Sequence, residues 1–143
     1  MSYAITLNVP ENFMLPLQRL AQAAQTPVEE VVLTALRASL PPLEGLPADM
    51  LENLTALETL NEAALRKVVY EKVPPAPARA LHQLLVRQSD EGLDEKEQAR
   101  LAALQHAADL VMLRKARAAV LLRFRGYPIP TTAELRQAMG KLV

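Results

Sequence analysis

The sequence predicts a mainly α-helical protein in which one N-terminal strand and two short helices precede a helical tail that contains one long helix. Three observations predict this fold class. Half of the residues are apolar but only five are aromatic, and Leu, Ala and Val side chains favour helix packing over a β-sandwich. An alternation with period two occurs only in the first ten residues. A proline-rich segment at residues 41–48 then separates a short head from a long tail.

Residues 3–9 have the alternating pattern of a half-buried strand. One face would carry Tyr3, Ile5, Leu7 and Val9, and the other Ala4, Thr6 and Asn8. A lone strand cannot satisfy its own backbone hydrogen bonds, and no other segment offers a second strand. We therefore expect the same strand of a second copy to pair with it, which makes the protein a homodimer.

Helical periodicity begins at Glu11 and continues in two segments. The first apolar stripe is Phe13, Leu17, Leu20, Ala21 and Ala24, and the second is Val28, Val31, Val32, Ala35 and Leu36. Between them, Thr26 is predicted as the N-cap and Pro27 as the first helical residue of the second helix, which ends near Leu40. Pro16 would cost a hydrogen bond, so the first helix is expected to start late or to bend.

The chain divides into a head (residues 1–40), a proline-rich linker (41–48) and a helical tail (49–143). In the tail we predict three helices before the long one. The first covers residues 49–57, the second is capped by Asn61, and the third runs through His82 to about Gln88. Asp94 with Glu97 starts a helix of about thirty residues, or ~45 Å, that ends at Gly126. Thr131 with Glu134 starts a short terminal helix.

The head resembles the Arc/MetJ ribbon-helix-helix family. The resemblance rests on Ile5, Leu7, Val9-Pro10, the Leu17/Leu20/Ala21 stripe, the Gln25-Thr26-Pro27 turn and the opening Val28-Glu29-Glu30-Val31-Val32 of the second helix. It covers under a third of the chain. It implies that two strands pair antiparallel across a two-fold axis and that four helices form the dimer core. The dimerisation residues would be Ile5, Leu7, Val9, Leu20, Val32 and Leu36.

The resemblance also implies that the paired strands enter the DNA major groove. The groove-facing residues would be Ala4, Thr6 and Asn8, and the start of the second helix, at Thr26, would contact a phosphate. Asn can recognise adenine and Thr can contact a base edge or methyl group. None of these residues is basic, Pro27 has no N–H, and the head has only Arg19 and Arg37 against three glutamates. A purely dimerising head is therefore the alternative.

Charge in the tail is segregated. Residues 41–110 hold seven basic and twelve acidic side chains, whereas residues 111–143 hold seven basic side chains and only Glu134. The candidate basic surface consists of Arg114, Lys115, Arg117, Arg123 and Arg125. It would serve a nucleic acid or an acidic partner, or else these side chains would pair with the acidic segment that precedes them.

No catalytic, metal or cofactor site is predicted. The chain has no cysteine, and its two histidines, His82 and His106, do not lie in a metal-binding spacing. The phosphate-binding glycine motifs are absent. With no signal peptide or membrane span in the pattern, we expect a cytoplasmic protein without enzyme activity. The function predicted from the sequence is a dimeric DNA-binding regulator or antitoxin-like protein with a protein-binding tail; the alternative is a dimeric adaptor or scaffold without nucleic-acid binding.

Overall fold

The computed structural model describes residues 1–140 and divides into two compact units, Met1–Pro42 and the chain from Leu43 onward. It is mainly helical, as the sequence predicts. The seven α-helices of the described residues are α1 (Glu11–Ala24), α2 (Val28–Ser39), α3 (Ala48–Ala56), α4 (Glu62–Val69), α5 (Pro75–Asp90), α6 (Glu95–Phe124) and α7 (Thr132–Gly140). A single 3₁₀ turn, Leu57–Thr59, follows α3.

The predicted strand is not seen. Residues 1–10 have no regular secondary structure, and no other part of the described chain forms a strand. The physical reason is the one that led us to expect a second copy. The N–H and C=O groups of a strand need a neighbouring strand, and residues 1–140 of one chain offer none.

In the first unit, α1 and α2 pack against each other. Helix α1 begins at Glu11 and continues through Pro16, so the expected late start is wrong. The carbonyl of Pro10 accepts from the N–H groups of Phe13 and Met14 at 3.0 and 2.9 Å, which closes the first turn before Pro16 is reached.

The start of α2 also differs from the prediction by one residue. Pro27, not Thr26, occupies the N-cap position, and no side chain caps the helix. Pro27 is extended, with ψ of 150°, and its carbonyl accepts from the N–H of Glu30 at 3.1 Å. The helix therefore starts at Val28, because a residue with extended ψ cannot be its first helical residue.

The second unit is built around α6, which contacts α3, α4 and α5. Its core side chains include the fully buried leucines Leu54, Leu57, Leu65 and Leu122. The 30-residue length of α6 agrees with the prediction, and Gly126 follows it with φ of 87°, in the left-handed region that glycine adopts without strain.

The predicted caps of the tail helices are confirmed. Asn61 Oδ1 accepts from the N–H of Ala64 at 2.9 Å, and Asp94 Oδ1 accepts from the N–H of Glu97 at 2.8 Å. Thr131 and Glu134 form a reciprocal capping box, with distances of 3.1 and 3.3 Å. Helix α5, in contrast, extends to Asp90 rather than ending near Gln88.

Candidate functional site

The first unit buries almost nothing of its own. Of the buried apolar side chains in the described residues, Ala21 alone belongs to it. Its larger apolar side chains are instead exposed to solvent, and we call them the apolar surface of the head. This surface consists of Tyr3, Ile5, Leu7, Val9, Phe13, Leu15, Leu20, Leu33 and Leu36. Two short helices with one buried alanine do not make a hydrophobic core, and units of about 40 residues usually need another source of stability.

The contact between α1 and α2 uses only part of each apolar stripe. In α1, Met14 and Leu17 are half-buried beside Ala21, while in α2 Val28 and Val31 are half-buried. Phe13 and Leu20 are seven residues apart and so share one side of α1, where they remain 64% and 58% exposed. Within the first unit, no element covers the remaining part of the stripe.

The predicted dimerisation residues lie on this uncovered part with one exception. Ile5, Leu7, Val9, Leu20 and Leu36 are exposed, whereas Val32 is half-buried. Phe13, Leu15 and Leu33 have the same exposure but were not among the predicted interface residues. The helical repeat that joins Phe13 to Leu20, and Leu33 to Leu36, is the sequence signal that identifies Phe13 and Leu33, whereas no repeat identifies Leu15.

The predicted DNA-contacting residues are all accessible. Ala4, Thr6 and Asn8 are exposed in the segment that lacks regular structure, and Thr26 is exposed in the turn between α1 and α2. A shallow open depression at this turn is lined by Gln18, Ala21, Gln22, Gln25, Thr26, Pro27 and Val28. Its polar side chains are uncharged, and Glu29 and Glu30 lie in the first turn of α2 beside it. The depression therefore offers an anion no positive side chain.

In the tail, Arg114 is held by polar groups of neighbouring helices. Its Nε and Nη2 donate to the two carboxylate oxygens of Glu71, both at 2.9 Å, and its Nη1 donates to Asn53 Oδ1 at 2.7 Å. The hydrogen bond to Glu71 raises the pKa of the Arg114 guanidinium. This forked arrangement joins α6 to α3 and to the segment after α4.

Arg117, within α6, and Arg125, directly after it, also contact groups of the tail. Arg125 donates to the backbone carbonyls of Glu58, at 2.6 Å, and Leu60. Arg117 is buried, and its Nη2 lies 3.9 Å from a carboxylate oxygen of Glu58. These contacts match the alternative in which the basic segment pairs with the acidic segment that precedes it.

Lys115 and Arg123 differ from these three arginines. Lys115 is half-buried and Arg123 is exposed. Neither side chain has a hydrogen bond or an ion pair within residues 1–140. The five predicted basic residues therefore divide into three that stabilise the tail and two that keep their charge available at the surface.

The two histidines lie on different helices, His82 on α5 and His106 on α6. His106 Nε2 is 2.7 Å from Asp49 Oδ2, and this hydrogen bond lowers the pKa of the Asp49 carboxyl. Both side chains are largely exposed, so the pair is a surface link between α6 and the start of α3. His82 is exposed on α5. Within the described residues, no group of three or more His, Asp or Glu side chains could hold a metal ion.

Comparison with protein-family models, with curated proteins and with solved structures finds no match to this chain. Among the described helices, none combines the length and the apolar character that crossing a membrane requires.

Proposed function

We propose that the protein acts as a homodimer whose head is assembled from two copies in the ribbon-helix-helix manner, and that this dimer is a DNA-binding regulator or antitoxin-like protein with a protein-binding tail. The observation that carries the proposal is the apolar surface of the head, where Leu7 is 66% exposed and Leu20 58% exposed while only Ala21 is buried. This number of exposed apolar side chains on so small a unit indicates a protein interface.

A second copy is the occupant that fits this surface. The alternating segment at residues 3–9 needs a strand beside it, and the described residues contain no strand. A second copy brings the same segment and the same apolar helix faces about a two-fold axis, so each contact between a residue of one copy and a residue of the other is made twice. Pairing would satisfy the backbone groups on the facing edges of both strands and cover Ile5, Leu7 and Val9 together.

DNA contact follows from the other side of the paired strands. With Ile5 and Leu7 turned inward, Thr6 and Asn8 face solvent, because successive side chains of a strand alternate between its faces. A two-stranded ribbon fits the major groove, where Asn pairs with adenine and Thr contacts a base edge or methyl group. The arrangement supports sequence recognition through a small number of hydrogen bonds.

The experiment is a selection from random duplex DNA at about 50 mM salt, followed by mobility shifts with the enriched sequence. We expect two symmetric half-sites, binding that weakens as salt rises, and loss of enrichment in the double variant Thr6→Ala plus Asn8→Ala. Failure to enrich any sequence at low salt would refute DNA recognition by the head.

A second function, a dimeric adaptor without nucleic-acid binding, is favoured by the charge of the head. Arg19 and Arg37 are its only basic side chains, against Glu11, Glu29 and Glu30. Phosphate neutralisation normally dominates DNA affinity, and Pro27 removes an N–H from the turn that would contact a phosphate. For this function, the DNA selection fails while a stoichiometric protein co-purifies from native lysate through the tail.

A further inference from the structure

The outer side of α6 in its last four turns carries a ridge of apolar side chains. Met112, Ala116, Val120 and Phe124 are spaced four residues apart and so form one continuous row along the helix. Met112 is 68% exposed and Phe124 49% exposed. Ala116 is exposed and Val120 is half-buried. We call this row the α6 ridge.

The ridge lies on the opposite side of the helix from the core. Ala118 is fully buried, and Ala116, two residues earlier and about 200° around the helix, is exposed. The helix is thus apolar on both sides, although only one side packs within the tail. A helix that is apolar all round is expected to be buried on all sides.

Free positive charge lies along one side of the ridge, where Lys115, Ala119 and Arg123 form the neighbouring row of residues four apart. Lys115 and Arg123 project from the same part of α6 and lack ion pairs within the described residues. The 24 residues between Asp109 and Glu134 contain no acidic side chain. The inward arginines, Arg114 and Arg125, are already bound to Glu71 and to backbone carbonyls. The outward face is therefore apolar along the α6 ridge and positive along one side of it.

We propose that the α6 ridge binds an acidic amphipathic helix of a partner protein. This inference deepens the proposed function, since it rests on the tail being protein-binding and names the surface and the chemistry of the partner. The ridge rises about 18 Å from Met112 to Phe124 at 1.5 Å per residue, which matches a helix of three to four turns. Its four-residue spacing fits the groove between corresponding ridges of a second helix.

The side chains of the ridge favour a protein over a nucleic acid. Two available cations are few for phosphate binding, whereas Met112 and Phe124 are of the types enriched at protein interfaces. Met112 can also adapt its shape to an incoming side chain. Glutamates along one edge of the partner helix would lie beside Lys115 and Arg123.

The test uses the full chain and a fluorescently labelled 16-residue helical peptide with leucines four residues apart and glutamates on its other faces. A second peptide carries lysine in place of every glutamate. In fluorescence anisotropy we expect the acidic peptide to bind about tenfold tighter than the lysine peptide, with affinity falling as salt rises. Equal binding of the two peptides would overturn the proposal.

A matched pair of variants locates the site. Ala116→Glu places a bulky negative side chain on the ridge, and Ala107→Glu makes the same change at another exposed alanine of α6, nine residues earlier and about 180° around the helix. We expect Ala116→Glu to weaken acidic-peptide binding about tenfold or more, with Ala107→Glu within about twofold of the parent. Unchanged binding by Ala116→Glu would overturn the proposal, and Met112→Glu repeats the test if thermal melting shows that the first variant is unfolded.

The same variants also test whether a different ligand occupies the α6 ridge. Duplex DNA or anionic phosphatidylserine vesicles that bind more tightly than the acidic peptide, and are lost in Ala116→Glu, would overturn the proposal in favour of that surface. A tetramer that Ala116→Glu dissociates would overturn it in favour of a second copy. The variant Leu7→Asp separates the two proposals, because peptide binding should persist in it even where the head neither dimerises nor binds DNA.

Discussion

Substituting Leu7 by aspartate should abolish the dimer while leaving each chain folded. In the single chain Leu7 is 66% exposed, in a segment without regular secondary structure. The change should therefore alter the free energy of unfolding of one chain by no more than about 0.5 kcal/mol. In the proposed dimer the same side chain faces the interface of the paired strands. Because each chain contributes one Leu7, the substitution removes two such side chains from the interface.

The cost in the dimer can be worked from that exposure. Burying the exposed part of a leucine contributes about 1–2 kcal/mol, and a carboxylate left in an apolar interface costs about 2 kcal/mol or more. For two copies the loss of association free energy is about 6 kcal/mol, which raises the dissociation constant of the dimer about 10⁴-fold. A dimer with a nanomolar dissociation constant would then be mostly monomeric at about 1 µM.

Light scattering after size exclusion measures this directly. The parent chain should elute at twice the 15.7 kDa mass of one chain, and Leu7→Asp should elute at the monomer mass with its helical circular dichroism unchanged. Asn8→Asp is the matched control, since it adds the same charge to the neighbouring residue on the opposite face, where the proposed pairing puts it beside Ala4 of the second copy, and it should remain dimeric. A dimeric Leu7→Asp protein, or a monomeric Asn8→Asp protein, would refute the proposed pairing.

Three further predictions concern the tail. Leu122→Ala removes a side chain that is 0% exposed, so it should lower the free energy of unfolding by about 3 kcal/mol and reduce the melting temperature by 10 °C or more in calorimetry; a shift below about 3 °C would contradict the packing of α6. Asp94→Ala removes the acceptor for the N–H of Glu97 and should cost about 1 kcal/mol in urea unfolding, while Asp90→Ala, at the end of α5, should cost much less. His106→Ala removes the hydrogen bond that lowers the pKa of Asp49, so that pKa, followed by carboxyl NMR, should rise towards its ordinary value. Because a lowered carboxyl pKa stabilises the fold above the unfolded-state value of about 4, the stability difference between parent and His106→Ala should be present at neutral pH and fade as pH falls below that value; a difference that stays undiminished well below that value would contradict the pair.

The sequence predicted the features that depend on neighbouring residues. The caps at Asn61, Asp94 and Thr131 each join a side chain to a backbone N–H three residues later, so the spacing alone reveals them. The length of α6 was also predictable, because no proline or glycine interrupts residues 95–124. The start of α2 was misplaced by one residue, since proline is compatible with both the N-cap and the first helical position.

Contacts between distant residues were not predictable. Arg114 meets Glu71 and Asn53 across 43 and 61 residues of sequence, and no periodicity in the chain indicates that pairing. The same holds for Arg125, which contacts carbonyls at Glu58 and Leu60. The sequence shows that seven basic residues lie near the end of the chain. Only the packing of α6 reveals which of them, Arg114, Arg117 and Arg125, contact the tail and which, Lys115 and Arg123, do not.

The candidate interface of the head was predicted in part. The alternation at residues 3–9 predicts that Ile5, Leu7 and Val9 share one apolar face. Their exposure in the single chain is what the proposed dimer interface requires. The strand itself is not seen, and the described residues contain no second strand that could pair with it. In the proposed dimer, its hydrogen bonds would be shared between two chains. Its formation is therefore a property of the proposed dimer, which a single sequence can indicate but a single chain cannot form.

Cysteine cross-linking at the centre of that segment tests the dimer most directly, because the parent chain contains no cysteine. Antiparallel strands paired over residues 3–9 place Thr6 opposite its equivalent in the second copy, about 5 Å away between Cα atoms, within reach of a disulfide. Ala4 lies opposite Asn8 of the second copy, whereas the two copies of Ala4 are about 13 Å apart. The account predicts that Thr6→Cys alone forms a covalent dimer on mild oxidation, and that Ala4→Cys and Asn8→Cys cross-link efficiently when mixed but weakly when separate. Thr6→Cys protein that stays monomeric, or cross-linking as efficient for Ala4→Cys alone as for the mixture, would contradict the two-fold pairing of the head.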